Sequence, residues 1–342
     1  MAINRMVNRV IGYEAANSYV KWHTTDAHDI YFNSLYRIPE GEETLMGAPT
    51  NDVPVNIFTL DGENFLAGTR RRGYTTSSSR GIERYASAEY RRESLIALAH
   101  AVNGNEALSV VTAIPADHYQ DREQVEAVIT ETLRGDTGII RMEVNGEPMS
   151  FGIRKVKTLL QPAATVVGIA LDERGNVRKG FEHLTRNYKI VVDIGWGTTD
   201  VAVMEGLTVV RAFTIGRSMV DAYTRIDEKL KRDNSELRTM SYRELDIESF
   251  LRDGDTFSFG GKEYDCTDIK AEAFEWIAGE IMTGVGNGVK LREADAVIYT
   301  GGGVIPLSND IKKFTDGVNA LKADDPQGAN ARGCYNYGVA MK

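Results

Sequence analysis

Ile190-Val191-Val192-Asp193-Ile194-Gly195-Trp196-Gly197-Thr198-Thr199-Asp200-Val201-Ala202-Val203 is the stretch on which the fold turns: an apolar strand ends in an acid, passes a glycine-rich turn and leaves as a second apolar strand. Glycine reaches backbone angles closed to other residues, so the N–H groups around Gly195 and Gly197 can converge on one point, a nest of phosphate size. Asp193 ends the incoming strand where a hydrated Mg2+ on those phosphates would lie, and Thr198 and Thr199 add hydroxyls. Taken alone, the pattern suits a bare glycine turn between strands equally well, so the remaining chain has to decide.

The 342 residues make room for about two domains. With 42% hydrophobic and 26% charged residues the composition is that of an ordinary globular protein. Forty basic against 49 acidic side chains leave a net charge of −9, which argues against direct nucleic-acid binding. Cys266 and Cys334 cannot form a disulfide framework and lack metal-ligand spacing, so a reducing cytoplasm is expected. The N-terminus has no signal-type apolar core, and no run approaches the roughly 18 apolar residues of a membrane span, so no membrane partner is expected. His23, His28, His100, His118 and His183 are scattered and read as surface or core residues rather than ligands.

From the start of the chain, strands are predicted over 6–13, 18–23 and 29–38, an opening meander. Between the first two lies Glu14-Ala15-Ala16-Asn17-Ser18-Tyr19-Val20-Lys21, laid out like the stretch above. Asp61-Gly62 and Asn145-Gly146 each mark a hairpin. An amphipathic helix is predicted over 85–102, with Leu95, Ile96, Leu98, Ala99 and Val102 inward, and another over 120–134, with Val125, Val128, Ile129 and Leu133. Between them a buried strand, 107–115, ends at Ile114-Pro115. Residues 158–171 read as a helix with Pro162 in its first turn, where a missing N–H costs little.

The second half repeats this plan. Strands are predicted over 188–193, 200–204 and 207–214, helices at 218–232, at 241–253 behind the capping box Ser241-x-x-Glu244, and at 268–283. A buried strand, 296–300, then runs into Gly301-Gly302-Gly303. Glu14 and Asp193 lie 179 residues apart, and the buried strands end at nearly the same offset, so the chain is expected to be an internal duplication: two similar α/β halves around one nucleotide cleft.

These stretches resemble, in order and spacing, the nucleotide-binding signature of the actin and sugar-kinase superfamily. The first phosphate loop would be Glu14 to Lys21, the first connecting helix the segment at Gln161-Pro162-Ala163, and the second phosphate loop Asp193 to Asp200. The adenosine loop would be Thr300 to Val304, and the second connecting segment Ala329-Asn330-Ala331-Arg332-Gly333. Across nearly its whole length the chain is most similar to bacterial ParM-type plasmid-segregation actins. The resemblance implies an actin-like (ribonuclease H-like, duplicated) α/β fold, with domain I at 1–158 plus a returning helix at 328–342, and domain II at 159–327. It further implies a cytoplasmic ATPase that forms homopolymeric filaments with ATP (GTP being the alternative) and Mg2+, and that moves plasmid DNA through a DNA-binding adaptor protein. Three departures stand out: Glu14 and Ala16 replace the family's usual Asp and Gly, Trp196 between the glycines of the second loop is bulkier than usual, and Gln161 matches actin where many ParM-like chains carry glutamate.

On this reading Lys21 meets phosphate oxygens, Asn17 and Ser18 donate from the first hairpin, and Gly195, Trp196, Gly197, Thr198 and Thr199 form the second nest. Asp193 holds Mg2+ through water, Glu14 is a second-sphere acid, and Gln161 orients the attacking water. Gly301, Gly302 and Gly303 admit the nucleoside, with adenine contacts near Gly216, Arg243 and Glu244. The competing assignments are a solvated strand lysine for Lys21, a turn-capping aspartate for Asp193, a helix-end polar residue for Gln161 and a surface pair for Arg243–Glu244. A basic stretch, Arg70, Arg71, Arg72, Arg80, Arg84, Arg91 and Arg92, reads either as a solvated face or as a filament contact for the acidic 221–255 segment. A small-molecule kinase of the same superfamily is the alternative function, but such kinases generally carry insertions for an acceptor pocket, and none is apparent here.

Overall fold

Val10-Ile11-Gly12-Tyr13 is apolar on both faces of an extended run, the pattern of a strand buried on both sides. It becomes the middle of β1 (Val7–Ala15), antiparallel to β2 (Tyr19–His23) and parallel to β7 (Glu106–Ile114). The structure, a computed structural model, describes residues 6–40, 56–69, 74–75 and 81–342. They divide into two units, Met1–Lys179 with Asn330–Lys342, and Gly180–Ala329.

In the first unit β3 (His28–Phe32), β4 (Leu35–Arg37), β5 (Ile57–Leu60), β6 (Glu63–Ala67), β8 (Ile139–Val144) and β9 (Glu147–Leu160) complete a sheet of order β3-β2-β1-β7-β9-β8-β5-β6-β4. The single strand expected over 29–38 is therefore two, broken at Asn33-Ser34. Both residues turn inward: the Asn33 side chain donates to Ala16 O at 2.6 Å, and Ser34 Oγ donates to Thr69 O. β3 and β4 end the sheet on opposite sides yet are joined by two residues, which reach only about 10 Å. Laid flat, nine strands would separate the edges by roughly 38 Å, so the sheet curls back on itself. β9 bridges the two parts of the sheet: its first part pairs with β8 and its last part with β7, the two registers meeting at Gly152.

The two predicted hairpins form as expected, with Asp61 and Gly62 at φ 52° and 79°, and Asn145 and Gly146 at φ 54° and 80°, the left-handed pairs of a type I′ turn. Helices α1 (Ala88–His100) and α2 (Arg122–Arg134) bury Leu95, Ile96, Leu98, Val125, Ile129 and Leu133, the inward faces read from the sequence. The helix expected from 158 starts later, as α3 (Gln161–Ala170). Thr158 stays in the strand because its N–H and hydroxyl both donate to the Glu126 carboxylate, at 2.8 and 2.9 Å. The first unit runs on past the boundary expected at 158, since Leu159 and Leu160 stay in register with Ala113 and Ile114, and Ala164 of α3 packs on Val111, Ala113 and Cys334.

The second unit holds β10 (Tyr188–Ile194), β11 (Thr199–Glu205), β12 (Thr208–Ile215), β15 (Ala296–Thr300) and β16 (Ala320–Lys322) in the order β12-β11-β10-β15-β16, with β13 (Thr256–Phe259) and β14 (Lys262–Asp265) as a separate hairpin. This repeats β3-β2-β1-β7-β9, with the same antiparallel and parallel pairings. Glu14 faces Lys21 in one unit and Asp193 faces Asp200 in the other. Around this sheet pack α4 (Met219–Asp233), α5 (Glu244–Leu251), α6 (Thr267–Gly288) and α7 (Val304–Lys312). The Ser241-x-x-Glu244 box does not cap α5: the helix starts at Glu244, and the Arg243 N–H donates to Asp246 Oδ2 at 2.8 Å, two residues later than expected. Last, α8 (Ala329–Ala340) brings residues 330–340 back to the first unit, where Thr165 Oγ1 donates to Asn330 Oδ1 at 2.8 Å.

Lys189, the second residue of β10, is wholly buried, its ammonium donating to Asn187 O at 2.9 Å and Gly206 O at 2.6 Å. Desolvation lowers its pKa to about 8, against a smaller opposing pull from Asp295. Between there and its ordinary 10.5 the unfolded chain holds a proton that the folded chain has released. Stability therefore rises as pH climbs through that window, and the penalty is fully present below it. Urea unfolding should show wild type gaining about 1–2 kcal/mol on Lys189→Met between pH 8 and 10. Identical pH slopes for the two proteins would refute the assignment.

Candidate functional site

The second hairpin is built on β10 and β11. Asp193 is buried, paired with Asp200 across β11 and with Thr300 across β15. A four-residue turn, 195–198, is closed by Gly195 N–H donating to Thr198 O at 2.9 Å. Its carbonyls also serve the next helix: Gly195 O and Trp196 O accept from Met219 and Val220 at 3.3 and 2.9 Å, so the turn satisfies two of the N–H groups that a helix start leaves unpaired. Trp196 lays its ring on Tyr223, with centroids 5.3 Å apart and planes 28° from parallel, packing on the core of its own unit. Thr199 is buried, with its hydroxyl donating to Arg217 O at 2.7 Å, whereas Thr198 stays half-buried at the turn.

The glycine run after β15 closes directly over this aspartate. Gly301 has φ 88°, and a Cβ there would fall inside contact distance of Asp193 Oδ1 and Ile194 O. Gly303 N–H donates to Ile194 O at 2.9 Å, and its own Cβ would strike Ile194 and Met219. Both are glycines because backbone crosses the end of β10 without room for a side chain. At Gly302 a Cβ would meet nothing nearer than Gln327 at 3.6 Å, and at Gly216, just after β12, nothing within 4 Å. Arg243 and Glu244 stand at the start of α5, exposed and half-buried respectively.

The first hairpin repeats the geometry residue for residue. Its four-residue turn, 16–19, is closed by Ala16 N–H donating to Tyr19 O at 3.2 Å, the counterpart of the Gly195–Thr198 bond. Glu14 is buried and held twice: Lys21 Nζ reaches Oε2 at 3.0 Å, and Gln161 Nε2 donates to Oε1 at 2.6 Å. Gln161 arrives there because it is the first residue of α3, directly after the last residue of β9. Three of the predicted residues thus form one chain of contacts within the first unit.

Arg84 was not among the predicted site residues. Read as part of a basic stretch, it is in fact buried under the hairpin, donating to Asn17 Oδ1 at 2.9 Å and Ala15 O at 3.0 Å, with Tyr85 and Tyr90 rings against its guanidinium. Arg91 pairs with Asp61 and Arg92 with Glu63, while Arg70, Arg71, Arg72 and Arg80 lie outside the described residues. In the acidic segment Asp221, Asp227, Glu248 and Asp255 pair within the second unit, with Arg217, Lys231, Arg252 and Lys270. Nothing local marks Arg84, since its burial depends on β1 and α1 meeting over it.

Among the described residues no group of three or more His, Cys, Asp or Glu is arranged to hold a metal directly, and no helix is long and apolar enough to cross a membrane. Each hairpin by itself carries donors that suit a phosphate and the water shell of its cation: the first an alanine-bearing turn, Lys21 and buried Glu14, the second a glycine-bearing turn and buried Asp193.

Residues 17–163 match the family described as "Actin like proteins N terminal domain", and residues 191–313 match "Archaeal actin homologue MreB-like, C-terminal". No curated protein matches the chain in sequence. Among solved structures, the apo pSK41 ParM protein is 20% identical over 98% of each chain, with a TM-score of 0.71. Ta0583, an archaeal actin homologue in complex with ADP, is 18% identical over 98% of this chain and 100% of its own, TM-score 0.75. The 15-stranded ParM filament from Clostridium botulinum is 16% identical over 97% and 99%, TM-score 0.78.

Proposed function

The chain belongs to the actin-like superfamily and has its fold of two α/β units, and on that premise we propose that it binds and hydrolyses ATP and assembles into filaments. The observation that carries this reading is the hairpin built twice in one register, with Glu14 and Asp193 at equivalent positions and Gln161 bonded to the first of them. Lys21, Asn17 and Ser18 meet phosphate oxygens from the first unit. Trp196, Gly197 and Thr198 meet them from the second through backbone N–H groups, with Gly195, whose own N–H closes the turn on Thr198 O, shaping the nest. Thr199 contributes its backbone, because its hydroxyl is already committed to Arg217 O.

Asp193 would hold a hydrated Mg2+, which when bound would supply charge neutralisation at the nucleotide phosphates. Gln161 orients the attacking water, since phosphoryl transfer depends on placement more than on covalent chemistry. Gly301, Gly302, Gly303, Gly216, Arg243 and Glu244 take the nucleoside. The ADP complex of Ta0583 and the filament of the C. botulinum ParM protein support nucleotide binding and self-assembly respectively. A cytoplasmic role in plasmid segregation, through a DNA-bound adaptor, extends the same likeness.

Sedimentation and negative-stain microscopy at tens of micromolar protein test the reading. Filaments are expected with ATP and Mg2+ and not without nucleotide; a GTP arm establishes the preference. A protein that stays monomeric with either nucleotide overturns the proposal.

A further inference from the structure

We propose that Glu14 and Arg84 are positioning residues that fix the polarity of the two carboxamides of the first unit, so that Gln161 presents its oxygen to water and Asn17 presents its NH2 to phosphate. The inference rests on the nucleotide reading above and adds to it a positioning role for Glu14 and for Arg84.

A carboxamide is a donor at one end and an acceptor at the other, and unassisted it can present either. Glu14, paired with Lys21 at 3.0 Å, is an acceptor-only carboxylate, and it accepts Gln161 Nε2 at 2.6 Å. The Gln161 oxygen therefore points away from Glu14, the orientation required to accept a proton from a water. Arg84 is a donor-only group, and it meets Asn17 at Oδ1, 2.9 Å away. That turns Asn17 Nδ2 away from Arg84, the orientation required to donate to an anion. Arg84 is itself immobilised by Ala15 O at 3.0 Å and by the rings of Tyr85 and Tyr90 at 5.8 and 5.5 Å. Both ions are buried, at 3% exposure for Glu14 and 8% for Arg84, so solvent screens neither and each holds its amide firmly.

The geometry also explains why glutamate stands at position 14. It bridges Lys21 on its own hairpin and Gln161 on α3, and an aspartate, shorter by one methylene or about 1.5 Å, would give up the second contact.

The test uses the full chain and two readouts: equilibrium binding of a non-hydrolysable ATP analogue, and single-turnover hydrolysis at saturating ATP. In Glu14→Gln the new amide can donate to the Gln161 oxygen and reverse it. The rate should fall about 10- to 100-fold, with analogue binding no weaker than wild type. The paired variant Glu14→Gln with Gln161→Glu restores a donor facing an acceptor in the opposite sense, and should recover at least about tenfold over Glu14→Gln alone. Arg84→Lys cannot grip Ala15 O and Asn17 together, so its larger loss should be in affinity, about tenfold. Asn17→Asp keeps Arg84 fully partnered, which guards against misfolding, and should show the same loss because it removes the donor. Unchanged hydrolysis in Glu14→Gln, no recovery in the paired variant, or equal losses of rate and affinity throughout would overturn the proposal. Absence of ATP binding by wild type would instead overturn the nucleotide reading itself.

Discussion

Replacing Gln161 with alanine is expected to leave ATP-dependent filament assembly in place and to slow phosphate release by about two to three orders of magnitude. The side chain stands on the first residue of α3 and donates to Glu14 at 2.6 Å, while the backbone of α3 is buried through its own packing. Truncation removes the amide and leaves the Glu14–Lys21 pair and the helix as they are. What is lost is an interaction made with the reacting water rather than with bound nucleotide, so the rate suffers and affinity does not. Asp193→Ala should give the same kind of filament, one that forms and does not turn over, since it removes the carboxylate that sits under Gly301 at the end of β10. Filament lifetimes by microscopy, read beside phosphate release, check both variants. If both release phosphate at the wild-type rate, neither residue belongs to the hydrolytic machinery.

The largest loss of stability is expected from alanine at Gly333. A Cβ there would overlap Ala164 O and stand 2.5 Å from its carbonyl carbon and 3.1 Å from Gly168 N, all backbone atoms of α3. Gly12 is in the same position from the other side: its Cβ would overlap Ala331 O and Tyr335 N and lie 2.9 Å from Tyr335 Cα. Flexible side chains can move aside, but a helix backbone can yield only by undocking as a whole. Either substitution should cost about 3 kcal/mol or more, above the usual range for overpacking. Chemical denaturation should place both midpoints far below wild type. A loss below about 1 kcal/mol would mean that α8 docks less closely than these contacts require.

How much of this was legible beforehand varies with the range of the interaction responsible. Asp61-Gly62 and Asn145-Gly146 could be recognised because positive φ at two consecutive positions is a local demand with few residues able to meet it. The shared strand–turn–strand layout of 14–21 and 193–200 was readable from the order of residues, and the structure adds the register, with Glu14 facing Lys21 and Asp193 facing Asp200. By contrast, 29–38 looked like one strand, since the two polar residues at its break, Asn33 and Ser34, acquire their role only from Ala16 O and Thr69 O. Ser241-x-x-Glu244 was a sound local cap, displaced because Asp246 reached the Arg243 N–H instead.

For the candidate site the division is the same. Gly301, Gly302 and Gly303 invite one explanation as a run, yet they do not share one environment. Two are demanded by the crossing of β10, and only Gly302 and the separate Gly216 have room above them. Arg84 among neighbouring arginines looked like surface charge, and became a buried support once Tyr85, Tyr90 and the Ala15 carbonyl enclosed it.

Residue pattern alone was sufficient for the duplicated hairpins and for the acid near the end of each central strand, because those features repeat locally and at a constant offset along the chain, while the actin-like plan was implied by the resemblance of those stretches to a known family. Tertiary packing alone decided that Glu14 holds Gln161, that Arg84 holds Asn17, and that residues 159–179 stay with the first unit. Each of these depends on groups 67 to 147 residues apart, or on helices packed at backbone distance, and no local period along a chain encodes where such distant segments meet.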